Sequence, residues 1–265
     1  MKVFLKTEDE IELMRQANQL VGKTLAEVGR HIKAGVTTLE LDKIAEEFIR
    51  DHGAIPTFKG FPNHLGEGFP GSICTSVNDM VVHGIPDNSV VLKDGDIISV
   101  DCGTLLNGFN GDSCYTFCVG EVTSEIKKLL STTKESLYKG IEKAVAGNHV
   151  GDIGDAISQY CEAQGYGVVR ELTGHGIGRE MHENPPIPNY GKRGNGIMLK
   201  EGMCIAIEPM ITMGSRNIGM LPDHWGIVTL DHKPAAHFEH TIAVRRGKAE
   251  ILSSFEEIEL LEETK

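Results

Sequence analysis

Five side chains stand where a cation could be gripped. Asp101 and Glu208 each end an apolar run, in LKDGDIISVD (92–101) and LKEGMCIAIE (199–208), and the two decapeptides are near copies. Asp112 and Glu239 follow in turn, each opening a second strand, before Cys114 to Val119 and Thr241 to Val244 respectively. His175 stands among Gly174, Gly176 and Gly178. A lone acid at a strand end is usually a solvated cap; recurrence in matched places argues for a shared task. Four carboxylates converging in a partly buried site cannot all ionise uncompensated, since like charges and desolvation both raise their pKa values. Two divalent cations would offset them, with the neutral imidazole of His175 as nitrogen ligand. Such a donor set suits Mn, Fe, Co or Zn, and HExxH, the mark of one class of single-zinc protease, is absent.

The elements that must carry these residues can be read locally. Asn107-Gly108 signals a two-residue type I′ turn between Asp101 and Asp112. With Leu106 paired to Phe109, Asp101 lies opposite Cys114, and Asp112 shares its face as a diagonal neighbour about 7 to 8 Å away. Thr7 with Glu10 and Thr37 with Glu40 are capping boxes, opening helices that run to about Ile32 and to Gly53. A second helix pair covers 123–146 and 151–164. Strands are expected at 73–77, 96–102, 115–119, 203–213, 226–230 and 240–244, and a last acidic helix from about Ser254. Strands in runs with helices grouped before them give an α+β fold, a mainly antiparallel sheet covered by helices.

The doubling extends beyond the decapeptides. His83-Gly84-Ile85 matches His175-Gly176-Ile177, and Leu41, Ala45, Phe48 and Gly53 recur as Ile153, Ile157, Tyr160 and Gly165. We expect one domain over 1–265, built from pseudo-twofold duplicated halves at about 7–120 and 121–247, with a continuous helix over 122–146 in place of a linker. The net charge of −12 and the lack of a basic run argue against nucleic-acid binding. Neither a signal peptide nor a membrane span is evident, so the cytoplasm is the expected compartment. The six cysteines show no CxxC spacing and read as buried thiols. His31, His52, His64, His149, His224, His232, His237 and His240 read as surface or turn residues.

VHGIP (82–86), VDCG (100–103) with the later Asp112, TGHGIG (173–178), AIEP (206–209) and FEHT (238–241) together resemble the type I methionine aminopeptidases of the pita-bread fold. The resemblance covers essentially the whole chain. It implies hydrolytic removal of the initiator methionine from nascent proteins whose second residue is small, by water activated at a dinuclear site. Asp112 and Glu239 would bridge both ions, Asp101 would bind one, and His175 with Glu208 the other. Glu208 would also shuttle the proton, while His83 contacts the scissile amide and His182 the carbonyl oxygen. Phe69, Cys74 and Trp225 would line the methionine pocket. A bacterial-type, monomeric enzyme is implied, with the ribosome a candidate partner. The 59–71 loop looks longer than in the short bacterial forms, Phe61 and Phe69 replace tyrosines, and Met181 stands where an aromatic is common. Three rivals remain: a proline dipeptidase or creatinase-like relative, a binding module that has lost its metals, and an acidic scaffold with structural cations only.

Overall fold

The computed structural model describes residues 2–263. Both capping boxes form. The Thr7 hydroxyl accepts from the Glu10 N–H while the Glu10 carboxylate accepts from the Thr7 N–H, opening α1 (Glu8–His31); Thr37 and Glu40 repeat this for α2 (Thr38–Asp51). Thr123 caps α3 (Ser124–Lys143), α4 covers Val150–Ala163, and α5 covers Glu256–Glu263. The α3 helix stops short of the expected Ala146. Asn148 Nδ2 takes the Lys143 carbonyl at 2.9 Å, and Val145 turns to bridge Arg245.

Fifteen short strands complete the described chain: β1 (Ile55–Pro56), β2 (Ile73–Val77), β3 (Met80–Val82), β4 (Ile97–Leu106) and β5 (Phe109–Cys118) precede α3. After α4 come β6 (Gly167–Val168), β7 (Thr173–Gly176), β8 (Glu183–Pro188), β9 (Cys204–Ile207) and β10 (Met210–Thr212). The last are β11 (Ile218–Met220), β12 (Ile227–Thr229), β13 (Ala235–His237), β14 (Glu239–Ala243) and β15 (Glu250–Ile251). The main sheet runs β1-β4-β5-β14-β9-β7-β8, with β2 also on β4 and β15 also on β14. Every pairing between these strands is antiparallel.

The β4–β5 hairpin has the expected register, Leu106 opposite Phe109 and Asp101 opposite Cys114. Asn107 and Gly108 both take positive φ, 53° and 78°, as a type I′ turn demands. That turn lets the ladder pair to its last residue, so both strands outrun their expected bounds. One face of the hairpin, with Val100, Cys102 and Tyr115, packs with Val21 and Leu25 of α1 in the main core, and Thr104 Oγ1 donates to the Ala17 carbonyl. Burying each such aliphatic side chain contributes about 1.5 to 3 kcal/mol. The opposite face, with Asp101, Asp112 and Cys114, is left for the site.

The single strand expected over 203–213 is two. Pro209 has no N–H to donate, so the ladder breaks at Glu208-Pro209; β9 stays in the main sheet and β10 joins β13 and β6. The break frees Glu208 from the ladder.

Candidate metal centre

Strand register assembles the acids. Cys74 on β2 faces Asp101 on β4, Asp101 faces Cys114 on β5, and Cys114 faces Glu239 on β14. The small Cys114 thiol therefore separates two carboxylates in one row, and Asp112 sits two places back along β5 on the same face. Glu208 follows the end of β9, which pairs with β14 through Ile207 and His240. His175 comes from β7, next to β9. Gly174 makes that approach feasible: a Cβ there would meet the Ala206 carbonyl oxygen at 2.3 Å and Glu208 Cγ at 3.3 Å.

Ligating atoms of Asp112, His175 and Glu239 lie within 4.8 Å of one another. His175 Nε2 is 3.4 Å from Asp112 Oδ2 and 3.7 Å from Glu208 Oε1. Asp101 lines the same cavity, of about 130 Å³. All five sequence-derived donors are thus brought together.

Burial sets their charge state. It raises Asp101 to about 7 and pushes Asp112, Glu208 and Glu239 well above the usual carboxylate range, the neighbouring acids adding to the shift of these last three. Asp101 Oδ1, Asp112 Oδ1 and Glu239 Oε1 are buried without a hydrogen-bond partner among the described residues. An unmet buried polar atom costs about 1 to 3 kcal/mol, more if charged. His175 Nδ1 lies 2.9 Å from the Gly176 carbonyl, an acceptor only, so Nδ1 carries the hydrogen and Nε2 turns its lone pair toward the acids. Burial holds this imidazole neutral, its pKa lowered to about 3. Unpaired carboxylate oxygens beside a bare imidazole nitrogen are a donor set that fits divalent cations.

One side of the cavity is apolar. Phe69, Cys74 and Trp225 line it, joined by Phe61 and Met181, which the resemblance set beside the pocket, and by Phe58, which the sequence did not assign to it. Phe69 and Trp225 meet edge to face at 5.0 Å, and Phe58 and Met181 pack over Gly103 on β4. Trp225 is half-buried as a pocket wall. The 59–71 loop closes as a hairpin, with the Gly60 N–H on the Phe69 carbonyl and the Phe69 N–H on the Phe61 carbonyl, which sets both phenyl rings at the pocket.

His83 and His182 also line the cavity. His182 sits edge-on to His175 at 4.4 Å and to Phe61 at 5.1 Å. His83 adopts φ 59°, uncommon for a non-glycine residue, and its ring lies 6.5 Å from Trp225. Burial lowers His83 to about 4 and lowers His182, so both are neutral donors near pH 7.

Two histidines read as surface residues are buried. His240 bonds Ser253 Oγ through Nδ1 at 2.6 Å and stacks on Phe255 at 3.9 Å. His237, at the end of β13, places Nε2 3.7 Å from Glu208 Oε2. The signal available was the apolar alternation of PAAHFEHTIAV, which marks a buried strand around both rings. The other six lie at the surface, His149 half-buried at the start of α4.

Fold and site together define a metallohydrolase with an apolar slot beside its acids. Residues 12–246 match the family model of metallopeptidase family M24. A methionine aminopeptidase of Clostridium acetobutylicum is 51% identical over 251 residues, 95% of this chain and 98% of its own length. The crystal structure of methionine aminopeptidase from Rickettsia prowazekii aligns with a TM-score of 0.92 at 41% identity, covering 96% of this chain and 100% of that one. An Xaa-Pro dipeptidase from Bacillus anthracis shares the fold alone, with a TM-score of 0.72 at 23% identity over 94% of this chain and 62% of its own. The chain belongs to metallopeptidase family M24 and, within it, to the methionine aminopeptidases. Its fold is the pita-bread fold that the motifs implied.

Proposed function

We propose that the chain removes methionine from polypeptides whose second residue is small, with Asp101, Asp112, His175, Glu208 and Glu239 holding two divalent cations, Mn, Fe, Co or Zn. The observation that carries this is the set of unpaired carboxylate oxygens on Asp101, Asp112 and Glu239 around one cavity with an apolar wall. When bound, the ions supply water of lowered pKa and a Lewis acid for the scissile carbonyl.

The protein's own groups do the rest. Asp112 and Glu239, grouped with His175 within 4.8 Å, would be shared between the ions, and Asp101 and Glu208 would complete the donor set. Glu208, 14% exposed in its side chain, accepts the proton of the attacking water and returns it to the leaving amine. His83 donates to the scissile amide region and His182 to the developing oxyanion. Phe58, Phe61, Phe69, Cys74, Met181 and Trp225 exclude water from the methionine side chain, whose sulfur gains about 0.3 to 1.5 kcal/mol from aromatic edges.

We also read the chain as one domain of two repeats, about 7–120 and 121–247. Support comes from strand order: β2-β4-β5 meets β14-β9-β7, so the two decapeptides lie on β4 and β9, equidistant from the β5–β14 seam. A monomer acting in the cytoplasm on chains leaving the ribosome fits this substrate. Among the described residues no helix is long and apolar enough to cross a membrane.

The test is to strip the protein with a chelator, restore Mn, Co, Fe or Zn singly, and offer Met-Ala, Met-Leu and X-Pro peptides. Methionine should leave Met-Ala only when metal is restored, with Met-Leu resistant. Preference for X-Pro would overturn the reading.

A further inference from the structure

His237 is fully enclosed, yet its Nε2 has no hydrogen-bond partner among the described residues. Its main chain is fixed: the N–H donates to Thr116 Oγ1 at 3.0 Å, and its carbonyl accepts from the same hydroxyl at 2.7 Å. The ring is therefore aimed by β5, and what lies before it is Glu208 Oε2 at 3.7 Å. The other oxygen of that carboxylate, Oε1, lies 3.7 Å from His175 Nε2. Glu208 thus stands between two imidazoles, one oxygen toward each. The gap to His237 exceeds a hydrogen bond by about half an ångström, and rotation about the soft terminal torsion of a glutamate closes it.

We infer that His237 is a positioning residue: its Nε2–H holds Glu208 Oε2, so that Oε1 stays turned toward His175 and the cation side of the cavity. Among the described residues, the hydrogen bond that holds Glu208 is made by its main chain, whose carbonyl accepts from Asn189 Nδ2 at 2.8 Å. A carboxylate with both oxygens free to exchange would present a less defined ligand. Groups that orient a metal ligand in this way typically change metal affinity or activity by about 10 to 100-fold when removed. The inference rests on the proposed role of Glu208 as a cation ligand.

The test compares His237→Gln, which keeps an N–H donor, with His237→Leu, which keeps volume and loses the donor. Zinc binding to the chelator-stripped proteins is read by calorimetry, beside kcat and KM on a Met-Ala peptide. His237→Leu should bind zinc 10 to 100-fold more weakly and lose kcat by a similar factor with KM little changed, whereas His237→Gln should stay within about threefold on each. Equal behaviour of the two variants, both normal or both impaired, overturns the inference, since packing alone would explain it. Imidazole ¹H–¹⁵N spectra of the wild type provide a measurement independent of the variants. They should show His237 as the Nε2–H tautomer, and an Nδ1–H tautomer overturns the inference. Wild type that binds no zinc would instead defeat the reading of the site itself.

Discussion

Stripping the cations should make this protein lose stability as pH rises, against the usual trend for a carboxylate. A buried acid with a raised pKa holds its proton more tightly folded than unfolded, so between the two values the folded state carries more protons and stability falls with pH. For Asp101 the interval runs from the ordinary 3.8 to about 7. At about 1.4 kcal/mol per pH unit, that amounts to about 4 kcal/mol lost between pH 4 and pH 8. Asp112, Glu208 and Glu239 shift in the same direction. Cations favour the ionised acids, and at one hundred times their dissociation constant they return about 2.7 kcal/mol per ion. Urea unfolding at pH 5 and pH 8, with chelator and with metal, measures both effects. Asp101→Asn cannot titrate and isolates this carboxylate: the stripped variant should show a clearly smaller pH loss than stripped wild type. Identical slopes in the two proteins would refute the electrostatic account.

Other consequences follow from particular contacts. Glu208→Gln keeps size but cannot accept the proton, so kcat should fall about 10² to 10⁴-fold; peptide kinetics showing a normal rate would remove Glu208 from the chemistry. Trp225→Ala takes away the wall that meets Phe69 at 5.0 Å and should raise KM for Met-Ala peptides by about tenfold, a loss of uniform binding that leaves kcat largely intact. Gly174→Ala drives a methyl group to within 2.3 Å of the Ala206 carbonyl and should cost about 1 to 3 kcal/mol in thermal unfolding while weakening zinc binding. An unchanged melting temperature would show that β7 and β9 part more freely than their packing indicates.

Local chemistry made much of this site legible. Asn107-Gly108 fixed one hairpin, and period-two alternation then placed Asp101 and Asp112 on one face. Capping boxes located both N-terminal helices because their signal lies within four residues. What stayed hidden depended on contacts between distant segments. Phe58 and Met181 come together only over Gly103, a packing that no periodicity reports. The β8 strand, ENPPIP, carries three prolines and reads as loop; it pairs with β7 alone in the main sheet, at an edge where missing donors are tolerated. His237 and His240 lie within an apolar strand segment, and it is that context, not the residue type, that buries them.

On the proposed reading, these donors hold the cations that make methionine removal possible. Calorimetric titration of manganese into stripped protein, with methionine release from a Met-Ala peptide followed on the same samples, tests it most directly. Release should be absent at first and should rise with bound metal, binding ending at two ions per chain. Release at full rate from the stripped protein, or saturated metal sites with the peptide intact, would contradict the account.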